Sequence, residues 1–278
     1  MKTSTSKRLR WNIAIWLAAG LFMTSAAGMA SGPIMPDPKA EARHQPQVEE
    51  TANGIPLVNI TAPSSGGVSR NEYETFNVPD KGAILNNSYT LSKTELAGYV
   101  PGNNNMAERP AKIIVNEVTG TGFTSMDGFL EVAGNRADVV IANPNGITVN
   151  GGGFINTGKA FLTTGKPVYD GEDHLQRFDI TGGDILIEGK GLGGKEAGSL
   201  AILSRAVKIN AGIWAKDLHI TTGANTVDAK TLEASAIEGK GGRPAFALDT
   251  AAIGGMYAGR ITLVGTEKGL GVNRQPHP

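Results

Sequence analysis

The corner Asn143-Pro144-Asn145-Gly146 constrains this chain more tightly than any other feature of its sequence. Pro144 fixes φ, Asn145 and Gly146 tolerate positive φ, and the side chain of Asn143 can bond backbone two residues on, so a sharp turn is dictated. Strand signals flank it. Ala137 to Ile141 is a short run rich in β-branched residues, and after the corner Ile147 and Val149 alternate with Thr148 and Asn150. Gly151-Gly152-Gly153 then turns the chain again before Phe154 and Ile155. Two corners so close together fit a hairpin, or a coil of short strands with polar corners such as a parallel β-helix.

The same habit recurs downstream. Alternating apolar pairs at Ile185/Ile187, Val207/Ile209 and Leu218/Ile220 start 22 and 11 residues apart, near a full and a half multiple of one coil length. An ordinary sandwich also places strands at such intervals, so periodicity alone leaves both architectures open. In a coil, inward Ile, Leu and Val would stack from turn to turn while many of the 38 glycines supply corners. The first turn of an open coil exposes unpaired backbone, which calls for a cap, and the less regular region from Ile55 to about Ser92 is the expected one.

Residues 1–30 have the make-up of a secretory signal peptide. Lys2, Lys7, Arg8 and Arg10 form a basic start, Ile13 to Met23 is an apolar run too short for a stable anchor, and cleavage is expected after Ala27 or Ala30. Residues 31–54, rich in proline and charge, read as a flexible segment, with the folded domain over 55–270 and a tail over 271–278. The chain has no cysteine, a net charge of zero and 6% aromatic residues, so neither a disulfide framework nor a nucleic-acid footprint is indicated.

On these residues the chain resembles the N-terminal secretion domain of two-partner secretion exoproteins, the filamentous haemagglutinin and haemolysin family of Gram-negative bacteria. The resemblance runs from Asn53 to Glu267 through the segments 53–60, 71–78, 113–118, 130–147, 151–158 and 251–267. One family motif stands intact at Asn143-Pro144-Asn145-Gly146-Ile147. The other, Asn-Pro-Asn-Leu in the family, aligns with Asn103-Asn104-Asn105-Met106, where Asn104 and Met106 replace the proline and leucine. Met fills a Leu-sized site.

The resemblance implies an all-β, right-handed parallel β-helix with an N-terminal antiparallel cap and extra-helical hairpins. It further implies export by the general secretory machinery, processing by signal peptidase, and recognition in the periplasm by the periplasmic repeats of a cognate outer-membrane β-barrel transporter. The product would reach the cell surface or the medium. No cofactor, metal or nucleic acid is implied. Family members continue into long shafts or toxin modules, whereas this chain stops at Pro278, so a fragment, a truncated product or a stand-alone secretion domain is expected.

Three function classes follow: transport recognition and folding nucleation; adhesion to a host or neighbouring cell surface, as haemagglutinin or toxin stalk; and a β-helical polysaccharide-degrading enzyme. The last needs paired carboxylates or basic residues on adjacent turns. Gly189-Lys190-Gly191-Leu192-Gly193-Gly194 matches a dinucleotide fingerprint only formally, because no βαβ pattern surrounds it, and reads as a glycine corner. Asp170 to His174 gathers carboxylates beside a histidine and reads as a solvated loop tip rather than a cation site. No nucleophile elbow, zinc-protease helix or phosphate loop occurs, so no enzyme is expected.

Overall fold

The computed structural model describes residues 32–107, 109–250, 254–267 and 271–274. The expected signal peptide, residues 1–30, lies outside the described residues, as do residues 275–278 of the expected tail. No described helix is long and apolar enough to cross a membrane.

Two short strands come first, β1 (Ile34–Pro36) and β2 (Gln47–Glu50), with a 3-10 turn at Ala42–His44 between them. The coil then begins with β3 (Pro56–Asn59) and β4 (Val68–Phe76), and Val78 adds a single parallel bridge to Met126. The second turn is built from β5 (Ala83–Asn87), a hairpin of β6 (Ser92–Thr94) and β7 (Gly98–Val100), then β8 (Ile113–Val118) and β9 (Thr124–Met126). The third has β10 (Phe129–Gly134), β11 (Ala137–Ala142) and β12 (Ile147–Val149).

The fourth turn takes β13 (Gly152–Ile155) and β14 (Thr157–Thr163), leaves the coil for β15 (Lys166–Tyr169) and β16 (Leu175–Ile180), and returns as β17 (Asp184–Ile187). The fifth has β18 (Leu192–Gly194), β19 (Ser199–Ser204) and β20 (Ala206–Ile209). The sixth has the long β21 (Gly212–Thr222), a second departure as β22 (Asn225–Asp228) and β23 (Ala234–Ala236), and β24 (Phe246–Thr250). The last described strands are β25 (Gly255–Gly265) and β26 (Gly271–Arg274).

Strands of successive turns pair in parallel, giving three faces. One runs β4-β8-β11-β14-β19-β21, a second β9-β12-β17-β20-β24-β26, and a third β3-β5-β10-β13-β18-β21. β21 belongs to two faces because its first part pairs with β18 and its second with β19. This is a parallel β-helix. The 22-residue step is one full turn, since Ile185 pairs with Val207 and Ile187 with Ile209. The 11-residue step carries the chain from the second face past the third to Leu218 on the first.

Register explains the core. Ile141, Leu162, Ile202 and Ile220 pair in sequence across four turns and are all buried, as are Ile147, Ile185, Val207 and Leu248 on the second face. Each such side chain contributes about 1.5–3 kcal/mol by leaving water. Outward apolar side chains are covered by the departures from the coil. Phe178, Ile180 and Val227 of the antiparallel sheet β15-β16-β22-β23 pack on Val115, Val140 and Phe161, and Val100 of the β6–β7 hairpin packs with Leu57 and Ile84.

Two expectations are corrected. Residues 32–54 are ordered: β1 pairs antiparallel with β4, β2 pairs antiparallel with β3, and Ile34 is buried in the core. The strands escape notice in the sequence because each is short, flanked by proline, and apolar at only one or two positions. Consequently the antiparallel cap lies upstream of Ile55, and Ile55 to Ser92 supplies the first parallel turn and the opening strand of the second instead.

Candidate functional site

The two motifs sit at different corners. Asn103 to Met106 forms a 3-10 turn at the corner leading into β8, and Asn143 to Ile147 forms the corner between β11 and β12. They therefore mark opposite ends of the first face, on neighbouring turns, and the fold does not bring them together.

Each corner is nonetheless tied down in the same way. Asn143 is fully buried, and its side-chain amide donates to the Gly122 carbonyl at 3.0 Å and to Thr124 Oγ1 at 2.9 Å. Its Oδ1 accepts from the Asn145 backbone N–H and from Asn145 Nδ2, both at 2.9 Å, while Asn145 Nδ2 also reaches the Gly120 carbonyl at 2.9 Å. The Gly146 N–H closes the turn onto the Asn143 carbonyl at 3.1 Å. These acceptors belong to the same corner one turn earlier, so the asparagines satisfy carbonyls that a tight corner leaves without strand partners.

Asn103 repeats this. Buried, it donates from Nδ2 to the carbonyls of Ile60 and Asn86, each at 2.9 Å, and accepts the Asn105 N–H at 3.0 Å. Asn105 Nδ2 reaches the Ile60 carbonyl at 3.1 Å, and the Met106 N–H closes onto the Asn103 carbonyl at 3.2 Å. The turn forms without the proline because the Asn side chain supplies the constraint. Met106 and Ile147 are both buried in the main core, whereas Asn104 and Pro144, the residues between the paired asparagines, are exposed. Gly146 has φ +126°, and a Cβ there would press on the Phe123 ring at 3.0 Å.

The receiving carbonyls, Ile60, Gly120 and Gly122, were not legible as partners in the sequence. Only the Gly120-Thr121-Gly122 corner signals backbone that must be approached closely.

Among other candidates, Asp170 spends its carboxylate on the backbone N–H groups of Glu172 and His174 and on His174 Nδ1, and Asp173 pairs with Arg43 at 2.8 Å. The run closes its own loop. Gly189 to Gly194 forms the corner entering β18, with Gly189 and Gly191 at φ +57° and +78°. Carboxylates do meet on adjacent turns at Glu72 and Glu117, which are paired in register, but both are largely buried beneath His44 and Arg70. Burial pushes the Glu117 carboxyl up.

The fold is a capped parallel β-helix with asparagine-tied corners, and the comparisons assign it to a family. The family described as "TPS secretion domain" matches residues 33–276, and this chain belongs to it. The solved structure "Crystal structure of filamentous hemagglutinin secretion domain" superposes with a TM-score of 0.80 at 34% identity, covering 88% of this chain and 82% of that one.

Among curated relatives, "Toxin CdiA" of Yersinia pestis is 47% identical over 246 residues, 88% of this chain and 7% of its own length. "16S rRNA endonuclease CdiA" of Enterobacter cloacae is 47% identical over 249 residues, 88% of this chain and 8% of its own length. The chain thus spans less than a tenth of these relatives, and the activities in their names are theirs.

Proposed function

We propose that this domain is the part of a two-partner secretion exoprotein that its cognate outer-membrane β-barrel transporter recognises in the periplasm. After the general secretory machinery and signal peptidase have delivered it there, the periplasmic repeats of the transporter bind it, and the domain passes to the cell surface or the medium. It also acts as the seed on which following chain folds.

The observation that carries the seeding role is the contrast between the ends of the coil. At the first turn, β1 and β2 cover the edge by antiparallel pairing. At the last, Ile261 and Leu263 pair in register with the buried Leu218 and Ile220, yet are 41% and 49% exposed. Core positions there stand open to another turn, and a further strand laid on β25 would bury them and pair its backbone.

The recognition role rests on membership of the secretion-domain family. The motif residues Asn103, Asn105, Asn143 and Asn145 serve it by holding corners in shape, because their amides are spent inside the protein. Binding of the purified protein to the isolated periplasmic repeats of the cognate transporter tests this. Saturable binding is expected, and its absence at high micromolar concentration would contradict the reading.

A further inference from the structure

Around Glu72 and Glu117 the fold assembles a buried charged cluster that neither coil stacking nor secretion accounts for. Like charges directly opposite on neighbouring strands destabilise a sheet, and these two carboxylates are in register. The Arg70 guanidinium lies between them, with Nη2 at 2.8 Å from Glu72 Oε1 and 3.5 Å from Glu117 Oε2. His44, from the 3-10 turn of the cap, places Nδ1 at 3.1 Å from Glu72 Oε1 and is itself buried. From the other side, Tyr169 of β15 lies against Arg70, its ring centroid 4.5 Å from the guanidinium carbon. A second link runs parallel to the first, since Arg43 Nη1 meets Asp173 Oδ2 at 2.8 Å.

Four segments remote in sequence therefore meet here: the cap turn at 42–44, β4, β8, and the β15–β16 hairpin. Arg70 Nε, Glu117 Oε2 and Tyr169 Oη are buried and make no hydrogen bond, Glu117 Oε2 meeting Arg70 only as an ion pair at 3.5 Å. Burying such groups is costly, so the cluster depends on its charge pairs and on the aromatic cover of Arg70.

We infer that the β15–β16 hairpin is a latch for the N-terminal cap: Tyr169 and Asp173, delivered by the fourth turn, complete the Arg70 cluster and lock the cap turn onto the first and second turns. Until the fourth turn has formed, Arg70 faces two carboxylates without its aromatic cover, and the segment 37–47, pinned at its ends by Asp37 on the Glu72 carbonyl and Thr119 and by Gln47 opposite Asn59, has only His44 to seat the turn between them. Full seating of the cap turn thereby depends on folding 130 residues downstream of Arg43, while the antiparallel pairing of β1 and β2 does not.

Hydrogen exchange of the purified protein, read by peptide, tests the latch. Tyr169→Leu is expected to speed exchange in 37–50 by about tenfold, while β19 and β20 keep parental protection. Tyr169→Phe, which keeps the ring over Arg70, is expected to leave 37–50 near parental rates. Asp173→Asn isolates the outer link, because Asn tolerates the φ of +58° at this position; being a partly exposed pair, its loss is expected to speed exchange in 37–50 by about twofold. If Tyr169→Leu does not fold, Asp173→Asn carries the test. Acceleration confined to 164–180, with 37–50 unchanged in both variants, would overturn the proposal.

Discussion

Asn145 Nδ2 donates to Asn143 Oδ1 at 2.9 Å, and the two amides together hold the carbonyls of Gly120 and Gly122 on the preceding turn. Asn103 and Asn105 converge likewise on the Ile60 carbonyl. The proline present in one motif and absent from the other is therefore secondary to the amide network. Asn143→Ala removes the donor to the buried Thr124 hydroxyl and the acceptor of the Asn145 N–H, and is expected to cost about 1–3 kcal/mol. Asn103→Ala, which removes the amide donor to the Asn86 carbonyl and one of two amide donors to the Ile60 carbonyl, is expected to cost a similar amount. Urea titration checks both, and a parental midpoint for Asn103→Ala would show that the altered motif carries no structural load.

Ile209 is fully buried and pairs in register with Ile187 on the turn before. Truncating it leaves a cavity in a continuous stack, so Ile209→Ala is expected to lower stability by about 2–5 kcal/mol. Because turns of a solenoid interact mainly with their neighbours, the loss should reach β24 and β26 before it reaches the cap. A midpoint equal to the parent's would place the side chain outside the core.

Much of this was legible in residue order and some was not. Asn143 to Gly146 is turn chemistry, and the alternation at Ile185/Ile187 and Val207/Ile209 is the stacked core read directly. The 22-residue turn is hidden between Ile147 and Ile185, which also pair in register, because β15 and β16 are inserted between them. Local pattern carries no mark of such a departure, whose strands alternate like any others. The cap strands were lost for the opposite reason: β2 has the sequence Gln47-Val48-Glu49-Glu50, and its pairing with β3 is set by backbone rather than by an apolar face. The Arg70 cluster depends on contacts across about 100 residues, from Arg70 to Tyr169, which spacing cannot reveal.

The buried histidine of that cluster gives a pH signature. Burial, then the Arg70 charge, holds the His44 imidazole below its ordinary pKa despite Glu72. Below about pH 6.5 the unfolded chain binds a proton at His44 more readily than the folded one, so stability falls as pH drops through that point. His44→Gln removes this contribution, and its melting temperature should vary less than the parent's between about pH 7 and 5.5. Glu117, whose pKa is raised, acts with the opposite sign but is present in both proteins. Equal slopes for parent and variant would mean that His44 does not titrate differently on folding.

The central claim is that a cognate outer-membrane barrel recognises and exports this domain. Its most direct measure is the partition of the protein between periplasm and medium when it is co-expressed with that barrel. Asn145→Ile removes the amide contacts to Gly120, Gly122 and Asn143, and the account predicts that the parent leaves the cell while the variant stays in the periplasm. Parental amounts of Asn145→Ile in the medium, or a parent that remains periplasmic beside its barrel, would contradict it.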